Sequence, residues 1–338
     1  MSQILVDKGT STTIDPILRV EKLNVVFSTR VGLISVHNQR PLSRNIQAVN
    51  NLSFDLSSSG TLTFVGESGS GKTTIARCIV GLLSPTSGSI KYRGAEVISL
   101  TGKALKEYRR HVQIVFQDPY ESLNPRDNVF TTLSLPLRHL VGENNTRILN
   151  ERITDLMREV GLDLDLIHRY PHQLSGGERQ RVSIARALAS DPEILIADEP
   201  ISMLDAAQRA DILRLLVKLR KERKLSIILI THDVGTAKIM GGRTLVMYRG
   251  RAFEYGDVES VLRKPCHPYI EVMLEAMPSL SKKPQLTHAE KVDLRTAVEA
   301  GCIFRPHCKY ALPVCVETEP QLEQKREGHL AACHNPLH

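Results

Sequence analysis

The chain has 338 residues, of which 41% are hydrophobic and 24% charged, and its formal net charge is +7. This composition is typical of a globular protein, and the length allows two domains or one large domain with an appendage. No run of about 18 apolar residues is present, which argues against a membrane-spanning helix. The basic balance fits an ordinary solvated surface or contact with anionic lipid head groups. We expect no nucleic-acid binding, because the cations are scattered and no aromatic stacking platform accompanies them.

The first elements along the chain are predicted to be antiparallel strands. Residues 1–17 are polar, and we expect a flexible N-terminus without a secretory signal. Apolar and polar positions then alternate across residues 17–60, which is the period of half-buried strands. A polar, arginine-rich insertion at residues 28–47 divides these strands into two groups.

A glycine-rich loop follows, between a predicted buried strand at 61–65 and a predicted helix at 74–83. Its glycines let the backbone curl so that consecutive N–H groups point at phosphate oxygens. Lys72 would supply a point charge for the β- and γ-phosphates, and Thr73 a hydroxyl for Mg²⁺. A glycine loop that opens a helix is a phosphate-binding arrangement. We therefore predict a nucleotide-binding loop formed by Gly66, Glu67, Ser68, Gly69, Ser70, Gly71, Lys72, Thr73 and Thr74.

Strands and helices alternate over the rest of the chain. Ile75, Ile79 and Leu82 are predicted to form the buried face of the helix after the loop. Further strands are predicted at 87–94, 112–116, 194–197, 226–230 and 244–248, and helices at 133–140, 148–160 and 179–189. The alternation predicts a mainly parallel sheet covered on both faces, with a helical subdomain at about 118–190.

Two acidic residues, Asp198 and Glu199, end the apolar strand at 194–197. A buried strand that ends in carboxylates can project them into a phosphate site. Asp198 would hold Mg²⁺ through its water shell. Glu199 would polarise an attacking water as a general base. Two acids after an apolar run are usually only a strand end, but a phosphate loop upstream favours the catalytic interpretation.

A second anion-binding helix start is predicted where Ser175, Gly176 and Gly177 precede Glu178. Ser175 can cap the helix, and the two glycines allow a close approach of the backbone to a ligand. With this heptapeptide, 174–180, the chain resembles the ATP-binding subunit of ATP-binding-cassette (ABC) transporters, of which it is the signature motif.

The resemblance implies an α/β P-loop NTPase fold. Its core would be a RecA-like mixed, mainly parallel sheet, accompanied by an antiparallel β subdomain and an α-helical subdomain. On this basis we expect a nucleotide-binding domain at 18–261 and a short cysteine-rich C-terminal extension at 262–338.

The resemblance also implies roles for single residues. Gln117 is similar to the Q-loop glutamine, which senses Mg²⁺ and the attacking water. Asp205 lies in a segment similar to the D-loop, and His232 resembles the switch histidine that contacts the γ-phosphate. Lys72, Gln117, Glu199 and His232 would then be the catalytic set. Phe27 is a candidate to stack on adenine, although it could equally be a core residue.

Further segments resemble the oligopeptide/dipeptide/nickel permease branch of this family. They are residues 117–126, an insertion at 30–48 typical of the F-type ATPase subunit, and a His-Pro-Tyr step at 267–269. This resemblance implies an ATPase that powers import with a second, homologous ATPase subunit or with itself. Two transmembrane permease subunits and an extracytoplasmic solute-binding protein would complete the system. We expect a peripheral location on the cytoplasmic face of the cell membrane.

Four cysteines lie close together in the tail: Cys302, Cys308, Cys315 and Cys333. Thiolates suit Zn²⁺ or an iron–sulfur cluster, and a metal centre can stabilise a tail that has little core of its own. In the permease branch this pattern resembles a tail that binds a [4Fe–4S] cluster. Zinc, free thiols and disulfides remain alternatives. Cys78 is expected in the core, and Cys266 is expected to be incidental.

The expected function is ATP hydrolysis coupled to solute uptake, most often of peptides in this branch. Import of nickel or oligosaccharides is one alternative, because close relatives carry them. A soluble ABC ATPase that acts on ribosomes or DNA is another. It is disfavoured because such proteins usually carry two cassettes or a long coiled coil within the cassette.

Overall fold

The computed structural model describes residues 15–31, 42–275 and 300–337. They form two sheets. A four-stranded antiparallel sheet has the order β2-β1-β4-β5, and an eight-stranded mixed sheet has the order β11-β12-β10-β9-β3-β8-β7-β6. Most of the predicted N-terminal segment and the centre of the predicted insertion lie outside the described residues. Ile17, however, is buried in the core.

The strands are β1 Leu18–Val31, β2 Leu42–Leu56, β3 Thr61–Val65, β4 Ser87–Tyr92, β5 Ala95–Glu96, β6 Val112–Val115, β7 Ile194–Asp198, β8 Ser226–Thr231, β9 Arg243–Tyr248, β10 Arg251–Asp257, β11 Glu323–Arg326 and β12 His329–Ala331. The α-helices are α1 Lys72–Ile79, α2 Gly102–His111, α3 Pro119–Ser122, α4 Val129–Pro136, α5 Thr146–Glu159, α6 Gly176–Leu188, α7 Ala206–Arg223, α8 Val234–Met240, α9 Val258–Arg263, α10 Pro268–Glu275 and α11 Val314–Glu317.

The parallel strands at the centre of the large sheet are buried on both faces. Every residue of β3, β7 and β8 is buried. In β7, Ile194 and Ile196 pack with the antiparallel sheet and α1. Leu195 and Ala197 face the opposite cluster, which contains helices α4 to α7. Because successive side chains point to opposite faces, a continuous apolar run can serve two separate cores.

The helical subdomain joins this second core, and its helices begin at side-chain caps. Asn128 accepts a hydrogen bond from the N–H of Thr131 at 2.8 Å and starts α4. This start lies four residues before the predicted one, and Pro136 ends the α-helical part before a π-helical turn at Leu137–Val141. The cap and the proline outweigh the apolar spacing that suggested 133–140.

The helix after the phosphate loop is shorter than predicted. It begins at Lys72 and ends at Ile79, and Gly81 then adopts a φ of +69°. Ile75 and Ile79 are buried as expected, but Leu82 is 55% exposed, so its predicted place on the buried face is wrong. A left-handed residue at the helix end turns the chain away before another helical turn can form.

The C-terminal tail adds two strands to the core sheet. Strand β12 pairs antiparallel with β10, and β11 pairs with β12. The sequence placed an extension after residue 261 but did not predict this pairing. In the part of the chain that the structure describes, no helix is both long and apolar enough to cross a bilayer.

A fully buried carboxylate, Glu254 on β10, fastens the tail to this sheet. Its oxygens accept hydrogen bonds from the N–H groups of Cys266 at 3.0 Å and His267 at 2.6 Å, and the His329 Nε2 contacts Oε1 directly. The partner strand β12 and the turn before α10 are thereby held at one point. Satisfying a buried carboxylate with several donors avoids the large cost of leaving it unpaired.

Candidate functional site

The phosphate-binding loop, residues 66–73, is confined by backbone on two sides. A Cβ atom on Gly66 would lie 2.3 Å from the carbonyl oxygen of Met247. A Cβ atom on Gly71 would lie 2.3 Å from the carbonyl oxygen of Ala48, and the φ of Gly71 is +100°. Only glycine combines that backbone angle with so close an approach. The loop therefore takes its shape from β2 and β9 as well as from its own sequence.

The ammonium group of Lys72 is folded into this loop. Its Nζ donates to the carbonyl oxygens of Gly66 and Glu67, both at 2.7 Å, and to Ser70 Oγ at 3.2 Å. The side chain is buried, and this burial lowers the pKa of Lys72, while the carboxylates of Glu199 and Asp198 oppose the shift. The cation is thus held where a phosphate group would meet it, and its three N–H donors have protein acceptors that a ligand would replace.

Thr73 and Asp198, two of the predicted Mg²⁺ ligands, are in contact. The Thr73 hydroxyl donates to Asp198 Oδ1 at 3.2 Å. Burial raises the pKa of Asp198, the charge of Glu199 adds to the rise, and the hydrogen bond from Thr73 opposes it. A hydroxyl beside a buried carboxylate supplies the oxygen ligands that Mg²⁺ prefers, and a divalent cation would favour the ionised carboxylate.

The predicted sensor glutamine, Gln117, and the predicted switch histidine, His232, both contact one oxygen atom of Glu199. Gln117 Nε2 donates to Glu199 Oε2 at 3.2 Å, and His232 Nδ1 lies 3.3 Å from the same oxygen. Glu199 has a φ of +45°, and its N–H donates to the Ile230 carbonyl at 2.9 Å. The two acids thus contact different groups: Asp198 contacts the Thr73 hydroxyl, and Glu199 contacts Gln117 and His232. Two neighbouring acids can therefore do different work.

The predicted signature segment begins a helix with a reciprocal cap. Ser175 Oγ accepts from the N–H of Glu178 at 3.3 Å, and Glu178 Oε2 accepts from the N–H of Ser175 at 2.7 Å. A Cβ on Gly177 would lie 3.3 Å from Gln208 of α7, and one on Gly176 would lie 3.5 Å from Leu204. The signature helix start is therefore packed against the start of α7.

Asp205 caps α7 rather than facing the phosphate loop of its own chain. Its Oδ1 accepts from the N–H of Gln208 at 2.9 Å. Since Gln208 also contacts Gly177, the D-loop and the signature segment form one surface. These contacts join the two segments to each other. Their role in nucleotide binding therefore stays a prediction.

Phe27 lies on β1 opposite Ile46 of β2 and is 39% exposed. Ile46 is two residues from Ala48, whose carbonyl borders Gly71 of the phosphate loop. An exposed aromatic ring on the strand beside the loop is suitable for stacking on a base. Its stacking role remains a prediction.

The sequence did not reveal the walls of the loop. Met247 and Ala48 are apolar residues on strands, and their contribution comes from carbonyl oxygens that any residue would supply. Gly250, in the turn after β9, donates its N–H to the Ser70 carbonyl at 2.9 Å. Tyr269 of the His-Pro-Tyr step is a further neighbour of the loop. Burial raises the pKa of Tyr269, and Glu67 of the loop also affects this pKa. The His-Pro-Tyr step was the sequence signal that could have identified it.

The four tail cysteines converge and carry no disulfide. Burial raises the pKa of Cys333 to about 11, and the other three thiols, Cys308, Cys302 and Cys315, act in the same direction from nearby. The Cys302 N–H donates to the Cys315 carbonyl at 2.8 Å, which joins two of the segments.

Peptide N–H groups surround these thiols. The N–H of Leu312 donates to Cys315 Sγ at 3.4 Å. Nearby peptide groups oppose the rise that burial causes in the pKa of the other three thiols: those of Phe304 and Arg305 act on Cys302, that of Tyr310 on Cys308 and that of Asn335 on Cys333. Peptide donors stabilise the thiolate, which is the form that binds metals. The donor set therefore fits a thiolate-ligated group.

The distances between the sulfur atoms of the four tail cysteines bear on which metal centre they could bind. Four thiolates around one Zn²⁺ at about 2.3 Å would lie about 3.8 Å apart. Among the described residues, the one group of three His, Cys, Asp or Glu ligand atoms mutually within 4.8 Å is Glu254, Cys266 and His329. The tail thiols are thus more widely spaced than a single zinc ion requires. Glu254 and His329 are in direct hydrogen-bond contact, and the Glu254 carboxylate also accepts from two peptide N–H groups.

The fold and the site together define an ATP-binding cassette of the P-loop class. Residues 49–202 match the ABC transporter family, and residues 253–315 match the C-terminal region of oligopeptide/dipeptide transporters. The chain is similar to the solved ATP-binding cassette MJ0796 bound to ADP and phosphate, with a TM-score of 0.62 and 26% identity. That likeness covers 71% of this chain and 98% of MJ0796.

Relatives of known sequence extend the likeness to nearly the whole chain. It is 38% identical to the putative oligopeptide transport ATP-binding protein YkfD of Bacillus subtilis, over 90% of this chain and 94% of YkfD. It is 36% identical to the dipeptide transport ATP-binding protein DppF of Haemophilus influenzae, over 94% and 96% of the two chains. The chain belongs to the family of ABC transporter ATP-binding proteins, in its oligopeptide/dipeptide branch. As a member it is an ATPase that binds ATP and Mg²⁺.

We expect Gly71→Ala to lower ATP affinity by at least about tenfold, because a methyl group at a φ of +100° would meet the Ala48 carbonyl and displace the loop. Gly94→Ala is the matched control. Gly94 has a φ of +79° and no atom within 4 Å of its Cβ position, so this change should cost about 1 kcal/mol of stability and leave ATP affinity unchanged. Calorimetric titration with ATP·Mg²⁺ measures both. Equal affinities of the two variants would contradict the confinement of the loop.

Proposed function

We propose that the chain hydrolyses ATP to drive the import of peptides through membrane permease subunits. The observation that carries the hydrolytic part is the convergence of Gln117 and His232 on one oxygen of Glu199, within the site that holds Lys72 and Asp198. The peptide part is supported by the names of relatives that align with nearly the whole chain and by the oligopeptide/dipeptide C-terminal region.

ATP binding would begin at the phosphate loop. Lys72 would exchange its contacts with the Gly66 and Glu67 carbonyls for the β- and γ-phosphate oxygens. Thr73 and Asp198 would hold Mg²⁺, which neutralises charge on the phosphates when it is bound. The loop N–H groups at the start of α1 would surround the remaining phosphate oxygens. Phe27 would stack on the adenine.

Hydrolysis would depend on Glu199 as the general base. Its carboxylate takes a proton from water as the water oxygen bonds to the γ-phosphorus and the bond to the β-phosphate oxygen breaks. Because a carboxylate and a phosphate oxygen both only accept, His232 would need a proton on Nδ1 to contact Glu199 and a second proton on Nε2 to contact the γ-phosphate. Gln117 donates to the same carboxylate oxygen and would respond to Mg²⁺ and water.

Assembly would supply the rest of the site. Ser175, Gly176 and Gly177 would bind the nucleotide of a second ATPase subunit, and Asp205 would lie at the same interface. That subunit would be a homologue, as expected for an F-type chain, or a second copy. The region after Gln117 would contact two permease subunits at the cytoplasmic face of the membrane, and an extracytoplasmic solute-binding protein would deliver the cargo.

Glu199→Gln should bind ATP normally while turnover falls by at least about 100-fold, because the amide cannot accept the proton from water. The variant should also remain as an ATP-bound dimer with its partner ATPase. Glu151→Gln is the control, because Glu151 is an exposed partner of Arg147 and lies on the helical subdomain. Phosphate release and size-exclusion chromatography measure these properties. Normal turnover by Glu199→Gln would exclude its role as the base.

The cargo can be tested with the complete transporter. We expect ATP hydrolysis by the chain, reconstituted in vesicles with its permease subunits, to rise severalfold when a peptide-loaded binding protein is added. Nickel and an oligosaccharide, each with its binding protein, provide the alternatives within the family. Stimulation by one of these alone would reassign the cargo. Failure to purify with any membrane subunit would favour a soluble ABC ATPase.

We further propose that Cys302, Cys308, Cys315 and Cys333 hold a [4Fe–4S] cluster. Four converging thiols with peptide donors and a spacing wider than that of a zinc site support it. When bound, the cluster would supply cross-links that fix the tail, a structural role in a segment with little core of its own. Zinc is the alternative group.

Anaerobically purified protein should contain about four iron and four sulfide per chain. Cys315→Ser should lose most of the iron, whereas Cys266→Ser should retain it, because Cys266 is equally buried but lies with Glu254 rather than with the other tail thiols. Elemental analysis and the visible absorption spectrum measure the outcome. If the protein instead contained one zinc and no iron per chain, the four cysteines would be assigned as a zinc site.

A further inference from the structure

The His-Pro-Tyr step has no role in the function proposed above, yet it lies against the phosphate loop. Tyr269 is 1% exposed and is the second residue of α10. Its ring packs on Tyr248, with centroids 5.0 Å apart, and on Phe304 of the tail, at 5.4 Å. Tyr248 directly follows Met247, whose carbonyl forms one wall of the loop. The ring thus bridges the wall of the loop and the cysteine-bearing tail.

The hydroxyl of Tyr269 faces Glu67, the second residue of the phosphate loop. Both the peptide N–H and the carboxylate of Glu67 lie close enough to act on this hydroxyl as hydrogen-bonding groups. No aligned hydrogen bond to the hydroxyl is present within the described residues. A buried hydroxyl without a completed bond is costly. The half-buried Glu67 side chain is the neighbouring acceptor that can complete it.

The position of Tyr269 is fixed by its own turn. The N–H of Tyr269 donates to His267 Nδ1 at 3.0 Å. Burial lowers the pKa of His267 to about 3, so the ring is neutral and its Nδ1 can accept. Glu254 in turn binds the N–H groups of Cys266 and His267. The tyrosine is thereby anchored to the core sheet through contacts that do not involve the phosphate loop.

We propose that Tyr269 is a positioning residue for ATP binding, whose hydroxyl donates to the Glu67 carboxylate and holds the phosphate loop in its ATP-binding shape. It acts through Glu67 and does not touch the nucleotide. Loss of this bond lowers the fraction of loops that are competent to bind, and apparent affinity falls by the same fraction. The inference rests on the proposed nucleotide site, since it concerns how that site is held.

Tyr269→Phe tests this role, because it removes the hydroxyl and keeps the ring contacts with Tyr248 and Phe304. We expect the KM for ATP to rise about three- to tenfold, with kcat within twofold and the thermal midpoint within about 2 °C of the wild-type protein. Tyr310→Phe is the matched control. It removes another tail hydroxyl, which lies 3.4 Å from Glu271, and should leave KM unchanged.

A double-mutant cycle tests the route through Glu67. Glu67→Ala should itself raise KM, and Tyr269→Phe should have no further effect in that background. A KM for Tyr269→Phe within twofold of wild type, an equal rise in Tyr310→Phe, or full additivity with Glu67→Ala would each overturn the inference. Failure of the wild-type protein to bind ATP would instead refute the proposed nucleotide site.

Discussion

The phosphate loop touches the backbone of two other strands so closely that its shape depends on both. Carbonyl oxygens of Ala48 and Met247 lie where side chains of Gly71 and Gly66 would otherwise be. The antiparallel sheet and the large sheet consequently meet at the phosphate loop. A shift of either strand would therefore alter the shape of the loop.

Within this frame, two adjacent carboxylates have different surroundings. Asp198 ends β7, is almost fully buried and contacts the Thr73 hydroxyl. Glu199 leaves the strand through a left-handed backbone, which costs about 1 kcal/mol or more for a residue other than glycine. The bond from its N–H to the Ile230 carbonyl helps to hold it there. The proposed metal ligand and the proposed base therefore contact different groups, although both carboxylates lie near the Lys72 ammonium.

Local signals in the sequence predicted much of the fold and most of the candidate site. The central strands were found because most of their residues are apolar, and the loop because its three glycines and Lys72 lie within seven residues. The errors came where neighbouring residues outweighed periodicity. Leu82 has helical spacing, but Gly81 ends the helix before it. The cap at Asn128 starts α4 earlier than its apolar pattern predicts, and Pro136 ends it earlier. The pairing of β12 with β10 had no local signal at all, because strand partners are chosen by the folded sheet.

The sequence by itself supplied the candidates for the chemistry: the residues predicted to bind phosphate and magnesium, to transfer a proton and to ligate a metal as thiolates, because their types and spacing resemble known motifs. The tertiary structure alone decided how these groups are held. The approach of Ala48 to Gly71, the meeting of Gln117 and His232 at one oxygen, and the placing of Tyr269 beside Glu67 join residues distant in the chain. Such contacts depend on the packing of whole elements, and no spacing along the chain encodes them.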